Sequence, residues 1–577
     1  SSDTAVYGDW RNVICFIADD EDNNLHIRQA DDLAKMVDTI FPGGNLDKIY
    51  VDAFPQVSTP AGQRYPKVNE AINERVNKGA LILSYTGHGG ETGWGQERYL
   101  DMPDIESWSN KEKLPVFLTA TCEFARYDDP SRVSAGEFIF LNEKGGGIAL
   151  FTTSRATYAG SNFVMSKYFY NYALNYPNHD YIRMGDILKM IKRSSGSGFN
   201  VMKFVLLGDP ALKFSIPKNF TQITKINEST VNQDNDTLKA LSFVNIKGQI
   251  NDPNGNKLSS FNGHVYPLVF DKVTNITTLA NDPGSDPFSF NLQKSVLYKG
   301  KAEVKNGDFE FSFVVPKDIA YNYGLGKLSI YASSENTDAS GYNRDIIIGG
   351  FDENSQVDTE GPQIELFFND ENFIEGGMTN ENPVLLAKVR DENGINTIGN
   401  GIGHDITAIL DVNAADIKIL NDYYESDIGT YQSGTIRYPF SKLDDGKHEL
   451  TFKVWDIYNN SSTANLKFYV SASANLALEA VMNYPNPFYD RTTFSFEQNT
   501  DGQELLLTID IFSIDGRLVK HIEDTFMPYS SRINHISWDG TDEYGSKIMK
   551  GMYIYRLQLS DENGIQRSKT SKLVYLK

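Results

Sequence analysis

The sequence predicts an α/β domain built on a parallel sheet, followed by three β-sandwich units. Residues 1–215 alternate uninterrupted apolar runs with segments of helical period, the pattern of a sheet covered on both faces. From about residue 217 the helical period vanishes. Short alternating segments separated by turn clusters replace it. At 577 residues the chain is also too long for one core.

The elements follow in order. Residues 12–18 form a compact apolar strand. Residues 27–40 carry Ile27, Ala30, Leu33, Ala34, Val37 and Ile40 at helical spacing and stop at Pro42-Gly-Gly44. Residues 48–51 read as a short strand, and 68–76 as an amphipathic helix ending near Gly79. Strands follow at 80–85, 116–121 and 147–153, then helices near 162–175 and 184–192, and 204–214 closes a first domain, 1–216. In the second, 217–355, residues 309–315 and 327–331 alternate, with turns at Asp252-Pro-Asn-Gly255 and Asn306-Gly-Asp308. Residues 356–362 read as a linker into an Ig-like sandwich, 356–472, containing segments 385–391 and 448–456, a tight turn at 459–462 and a small-residue hinge at 471–475. The last unit, 473–577, opens with Asn483-Tyr-Pro-Asn-Pro-Phe488; Leu507, Ile509 and Ile511 alternate on one face, and Asp515-Gly516 signals a hairpin.

Fifty-four basic against 76 acidic residues give a net charge of −22, which disfavours nucleic acid and anionic membrane as partners. No apolar run approaches the roughly 18 residues of a spanning helix. The first residue is Ser1, so a processed or trimmed chain is expected. Two cysteines, Cys15 and Cys122, exclude a disulfide framework and a thiolate zinc cluster. No cofactor is required. Asp/Asn-rich loops are compatible with Ca²⁺ as a structural ion, although such clusters are more often turns.

Two apolar runs end in reactive groups: Leu81-Ile-Leu-Ser-Tyr-Thr-Gly-His-Gly-Gly90 and Val116-Phe-Leu-Thr-Ala-Thr-Cys-Glu123. In an open parallel sheet, functional groups sit beyond the carboxyl ends of strands. Neighbouring strands would bring His88 to Cys122, and an imidazole that accepts the thiol proton creates the attacking thiolate. Cys15 lies within an apolar strand and reads as buried. His26 and His179, the other histidines of 1–215, follow no apolar strand. Glycines around His88 allow a tight turn and close approach of a substrate backbone. The N–H groups of Gly89 and Cys122 are candidate oxyanion donors. Asp19 and Asp20 are the candidates to orient the imidazole, with a solvated turn as the competing reading. Glu123 ranks lower because neighbouring side chains on a strand point apart.

Four segments resemble the gingipain peptidases of the caspase-like clan: Tyr85-Thr-Gly-His-Gly-Gly-Glu-Thr-Gly-Trp-Gly95, Thr119-Ala-Thr-Cys122, residues 145–155, and Leu207-Gly-Asp-Pro-Ala-Leu212. The resemblance implies a Cys122–His88 dyad, an oxyanion hole involving Gly89, and an assisting acid after the first strand. Asp20 is the first choice and Asp19 the second, where the family carries Glu. His26 falls near the position at which arginine-specific members place a pocket Asp, so arginine preference does not carry over. An upstream subdomain and pro-region, present in the family, are expected to have been removed or left out.

The last unit resembles the C-terminal sorting domain of type IX secretion, through Asn483-Tyr-Pro-Asn-Pro-Phe488, Asp515-Gly-Arg-Leu-Val519, Trp538-Asp-Gly540 and Gly551-Met-Tyr-Ile-Tyr555. The order of domains resembles the gingipain-like sortases of that system. It implies removal of cargo sorting domains through a Cys122 thioester, and transfer of cargo to an amine of anionic lipopolysaccharide. It also implies docking on the outer-membrane barrel PorV, a complex with PorZ and PorQ, and a place on the surface of a Bacteroidetes cell. A net charge of −22 would not favour an anionic acceptor, so a local pocket or bridging cation is expected. Two other readings stand beside this one: a secreted gingipain-like endopeptidase, and an inert β-rich adhesin or scaffold.

Overall fold

A computed structural model describes residues 6–175, 182–227, 229–230, 237–355, 357–398, 403–411, 416–471, 478–498, 504–528, 532–561 and 566–577. His179 and most of the expected hinge at 471–475 lie outside them. The chain divides into two compact units, the first spanning essentially residues 1–355 and the second 356–577.

The first unit opens with β1 (Val13–Ala18), α1 (Glu21–Ile40), β2 (Asn45–Tyr50), α2 (Pro66–Lys78), β3 (Ile82–Thr86), β4 (Val116–Ala120), β5 (Ala149–Thr153), α3 (Ala159–Leu174), α4 (Met184–Ser194) and β6 (Phe204–Leu207). These strands form one sheet in the order β6-β5-β4-β3-β1-β2. All neighbours are parallel except β5 and β6. Between β5 and β6 the chain also passes through a short helix, α5 (Phe199–Lys203), that runs directly into β6. Strands β1, β3, β4 and β5 are buried along nearly their whole length, which is why they read as unbroken apolar runs. One core packs α1, α3 and α4 on one face through Leu33, Val37, Phe169 and Ile187; a second fills the other face around Ile72, Trp94, Trp108 and Phe117. Strand order reverses between β1 and β3, so the crevice at their carboxyl ends is the topological switch point.

Among the described residues, nine strands between Asn219 and Asn343 form one sheet whose path closes, because Asn219–Ile226 pairs with both Phe243–Asn251 and Asp338–Asn343. The hairpin Thr274–Thr277/Ser289–Leu292 leaves this sheet and joins the peptidase-side core. Phe290 packs on Tyr50 with ring centres 4.6 Å apart. Arg11 Nη1 pairs with Asp338 at 2.7 Å, and Asp52 accepts the N–H groups of Ala280 and Asn281 at 2.9 and 2.8 Å.

In the second unit, four strands from Gln363–Phe368 to Ser433–Pro439 face five that include Gly446–Trp455 and Ser461–Val470, around Phe368, Leu385, Phe452 and Phe468. The C-terminal strands form a three-stranded and a four-stranded sheet around a common core. Its motifs are core-forming: Phe488 packs on Trp538 and Tyr575 at 5.7 and 5.1 Å. Among the described residues no helix is long and apolar enough to cross a membrane.

Candidate active site

The strands β3 and β4 are direct neighbours, with Thr86 paired to Ala120. His88 and Cys122 each stand two residues beyond that pair, at the same end of the sheet. Three further contacts tie the two strand tips together. The Gly87 N–H reaches Ala120 O at 3.5 Å. Gly89 lies against Thr121, where a Cβ would come within 2.6 Å of Oγ1. Beyond them, Arg126 pairs with Glu91 at 2.6 Å. The turn after His88 is itself pinned: Tyr85 donates to His88 O at 2.5 Å and stacks on Trp94 at 4.3 Å, while the Gly95 N–H reaches His88 O at 3.0 Å.

Cys122 is half-buried and Cys15 fully buried. Burial pushes the Cys15 thiol far above its ordinary range, where almost no thiolate exists. The Cys122 sulfur accepts the Thr157 N–H at 3.4 Å and faces Thr157 O at 3.6 Å. Thr157 is held by Asn162, whose Nδ2 donates to Thr157 Oγ1 at 2.9 Å. Asn162 in turn accepts from Asn200 at 3.0 Å, and Asn200 accepts the Tyr158 N–H at 2.9 Å. Glu123 lies beyond β4 with φ 53°, in the left-handed region, so the chain turns sharply just after the sulfur. The strand alternation used to rank Glu123 therefore does not extend to it.

The acidic residues after β1 divide their work. Asp19 Oδ2 accepts the backbone N–H of His88 at 2.7 Å, and Oδ1 accepts that of Glu21 at 3.1 Å. Asp20 is turned to two phenols, accepting from Tyr65 at 2.5 Å and Tyr99 at 2.9 Å. Tyr99 Oη also lies 3.2 Å from Asp19 and 2.8 Å from Glu97. The single Tyr99 hydroxyl hydrogen serves one of these three carboxylates at a time. Burial, opposed by the phenols and reinforced by Asp19, pushes Asp20 up to about 8. His88 Nε2 is instead 3.1 Å from Asp22 Oδ2 and 3.5 Å from Glu21 Oε2. Burial, reinforced by Asp19, holds Glu21 above the usual carboxylate range. His26 packs edge-on against His88, ring centres 5.1 Å apart, and burial lowers its basicity.

Asp22, Asn23 and Asn24 have φ of 56°, 53° and 61°, three consecutive left-handed residues at the head of α1. Asp and Asn are the non-glycine residues that best tolerate this conformation. The turn brings Asp22 back over His88. It is braced by the hairpin of the following domain: Ser285 donates to Asp20 O at 3.0 Å and Asn24 Nδ2 to Asp286 O. Asp22 as a partner of His88, the Thr157–Asn162–Asn200 chain and this hairpin are not foreshadowed by the motifs of the sequence. The run Asp22-Asn-Asn24, a pair of turn-forming residue types, was the one visible signal.

Residues 1–215 match the model of Peptidase family C25. By that match they form a gingipain-like domain. Similar solved structures include the dimeric latent PorU of Porphyromonas gingivalis, 31% identical, covering 75% of this chain and 41% of that one, with a TM-score of 0.31. They also include the Arg-specific cysteine proteinase gingipain R, 15% identical, covering 59% and 67%, with a TM-score of 0.31. The chain thus spans about two fifths of the PorU chain. No curated protein matches. In the C25 domain, the sulfur and imidazole lie on the adjacent β4 and β3 tips.

Proposed function

We propose that the chain is a cysteine signal peptidase and sortase. The observation that carries the peptidase part is the placement of His88 and Cys122 two residues beyond the paired tips of neighbouring parallel strands. His88 takes the Cys122 proton, and the sulfur attacks the substrate carbonyl. Nε2 of His88 faces Asp22 and Glu21, so Nδ1 is assigned to the sulfur and the carboxylates stabilise the imidazolium. Asp19 orients His88 through its backbone N–H, and Asp20 supports Asp19 from behind. The Gly89 and Cys122 N–H groups receive the oxyanion, and the Thr157 N–H stabilises the thiolate. The imidazolium then protonates the leaving amine, which departs and leaves a thioester on Cys122. An incoming amine gives a new amide, and water gives an acid; His88 accepts the proton in either case.

The sortase part is supported by the segments of the C-terminal unit that resemble type IX sorting domains, which pack as one core. On this reading, the chain acts at the cell surface with PorV, PorZ and PorQ and transfers cargo to an amine of anionic lipopolysaccharide. The test incubates a protein carrying a type IX sorting domain with the enzyme, with and without added amine, and weighs the products. A cargo mass raised by the amine less water, absent with Cys122→Ala, is expected. Hydrolysed ends alone, at every amine concentration, would leave an endopeptidase. Processing untouched by Cys122→Ala would leave a scaffold.

A further inference from the structure

The groups around His88 are arranged as a metal-ligand set. One ligand atom from each of Asp19, His26 and His88 lies within 4.8 Å of the other two. Asp22 Oδ2 sits 3.1 Å from His88 Nε2 and 3.4 Å from His26 Nε2. Neighbouring ligands of a tetrahedral zinc ion, with bonds of about 2.0–2.2 Å, stand about 3.3–3.6 Å apart. Asp22 already stands near that spacing from both imidazoles, and Asp19 lies within 4.8 Å of both. An independent observation concerns His26. The residue is 4% exposed, its Nδ1 has no hydrogen-bond partner among the described residues, and its Nε2 meets only Asp22, at 3.4 Å. An imidazole buried without such a partner is costly, and a bound cation removes that cost. The cluster also has an entry path, because the side chains of His88 and Asp22 are 42% and 53% exposed.

We propose that Asp19, His26, His88 and Asp22 form a site for a zinc-class divalent cation, which switches the peptidase off reversibly. Two imidazoles with carboxylates suit Zn²⁺ better than Ca²⁺ or Mg²⁺, which take oxygen ligands. A neutral imidazole that coordinates through Nε2 keeps its proton on Nδ1. His88 then has no lone pair with which to accept the Cys122 proton, so cleavage stops while the ion is bound. Inhibition rests on His88 being the general base; binding does not.

The ion is therefore counted in a chain that cannot cleave. Cys122→Ala protein, which also lacks the thiolate as a competing ligand, is titrated with ZnCl₂ by calorimetry. One ion per chain is expected, with affinity falling at least 100-fold in His26→Gln and at least 10-fold in Asp22→Asn, and circular dichroism unchanged. If His26→Gln does not fold, His88→Gln replaces it, since that ring is half-exposed. Zinc affinity unaltered by these substitutions overturns the site, as does affinity lost only on substituting the separate carboxylate cluster Asp358, Asp391 and Asp456. In wild-type protein, saturating zinc should reduce cleavage at least tenfold, and EDTA should restore it. Binding without inhibition would instead contradict the role given to His88 Nδ1.

Discussion

Thiol and imidazole were legible in the sequence because each follows directly on an apolar run, and glycines flank the histidine. The expected losses follow. Cys122→Ala should abolish peptide cleavage, since Cys15 is buried, and His88→Ala should lower kcat about 10³–10⁴-fold in a steady-state assay. The acids were less legible. Asp19, Asp20, Glu21 and Asp22 are adjacent and chemically alike, and only the left-handed turn at Asp22–Asn24 decides which faces the ring. Asp20 gives a distinctive pH signature. Its carboxyl binds a proton more tightly in the folded chain than in the unfolded one. The stabilisation this brings is complete below about pH 4 and is lost as pH rises toward 8. Asn carries no such proton, so the melting temperature of Asp20→Asn minus that of wild type should increase from pH 4 to pH 8. A difference that stays flat would show Asp20 ionised throughout.

At the scale of elements, β1, β3, β4 and β5 could be read directly, because burial on both faces forces continuous apolar sequence. The antiparallel β6 and the small strands after His88 could not. Gly89–Gly90, Gly93–Trp94 and Leu100–Asp101 are two residues each and owe their order to packing under Tyr85 and Trp94. Gly89→Ala would push a Cβ to 2.6 Å from Thr121 Oγ1 and 2.9 Å from Gly93 O, separating the β3 and β4 tips. We expect kcat to fall on the order of 10²-fold, the scale of an ångström misplacement, with little change in circular dichroism. The Asn162–Asn200 bond joins α3 to the short helix Phe199–Lys203, 38 residues further on, so no local pattern announced it. Asn200→Ala leaves Asn162 and the Tyr158 N–H without that partner. About 1–3 kcal/mol of stability should be lost on chemical denaturation, together with slower thiol alkylation.

For the molecule as a whole, the change of texture near residue 217 marked a change of architecture, but not the dependence of one part on the next. The hairpin carrying Phe290 and Leu292 completes the core beneath α1, and Ser285 and Asp286 brace the turn that presents Asp22. Contacts between residues more than 200 positions apart leave no trace in periodicity. Residues 1–216 expressed alone should therefore melt lower and cleave more slowly than 1–355. Phe290→Ala in the full chain should cost about 3–5 kcal/mol, measured by denaturant unfolding of the first unit.

The pairing of His88 with Cys122 is tested most directly by the rate of iodoacetamide alkylation between pH 5 and 8, with the adduct located by peptide mapping. The account predicts a single adduct on Cys122, formed at least tenfold faster at pH 6 in wild type than in His88→Ala. Equal rates in the two proteins, or an adduct on Cys15, would contradict it.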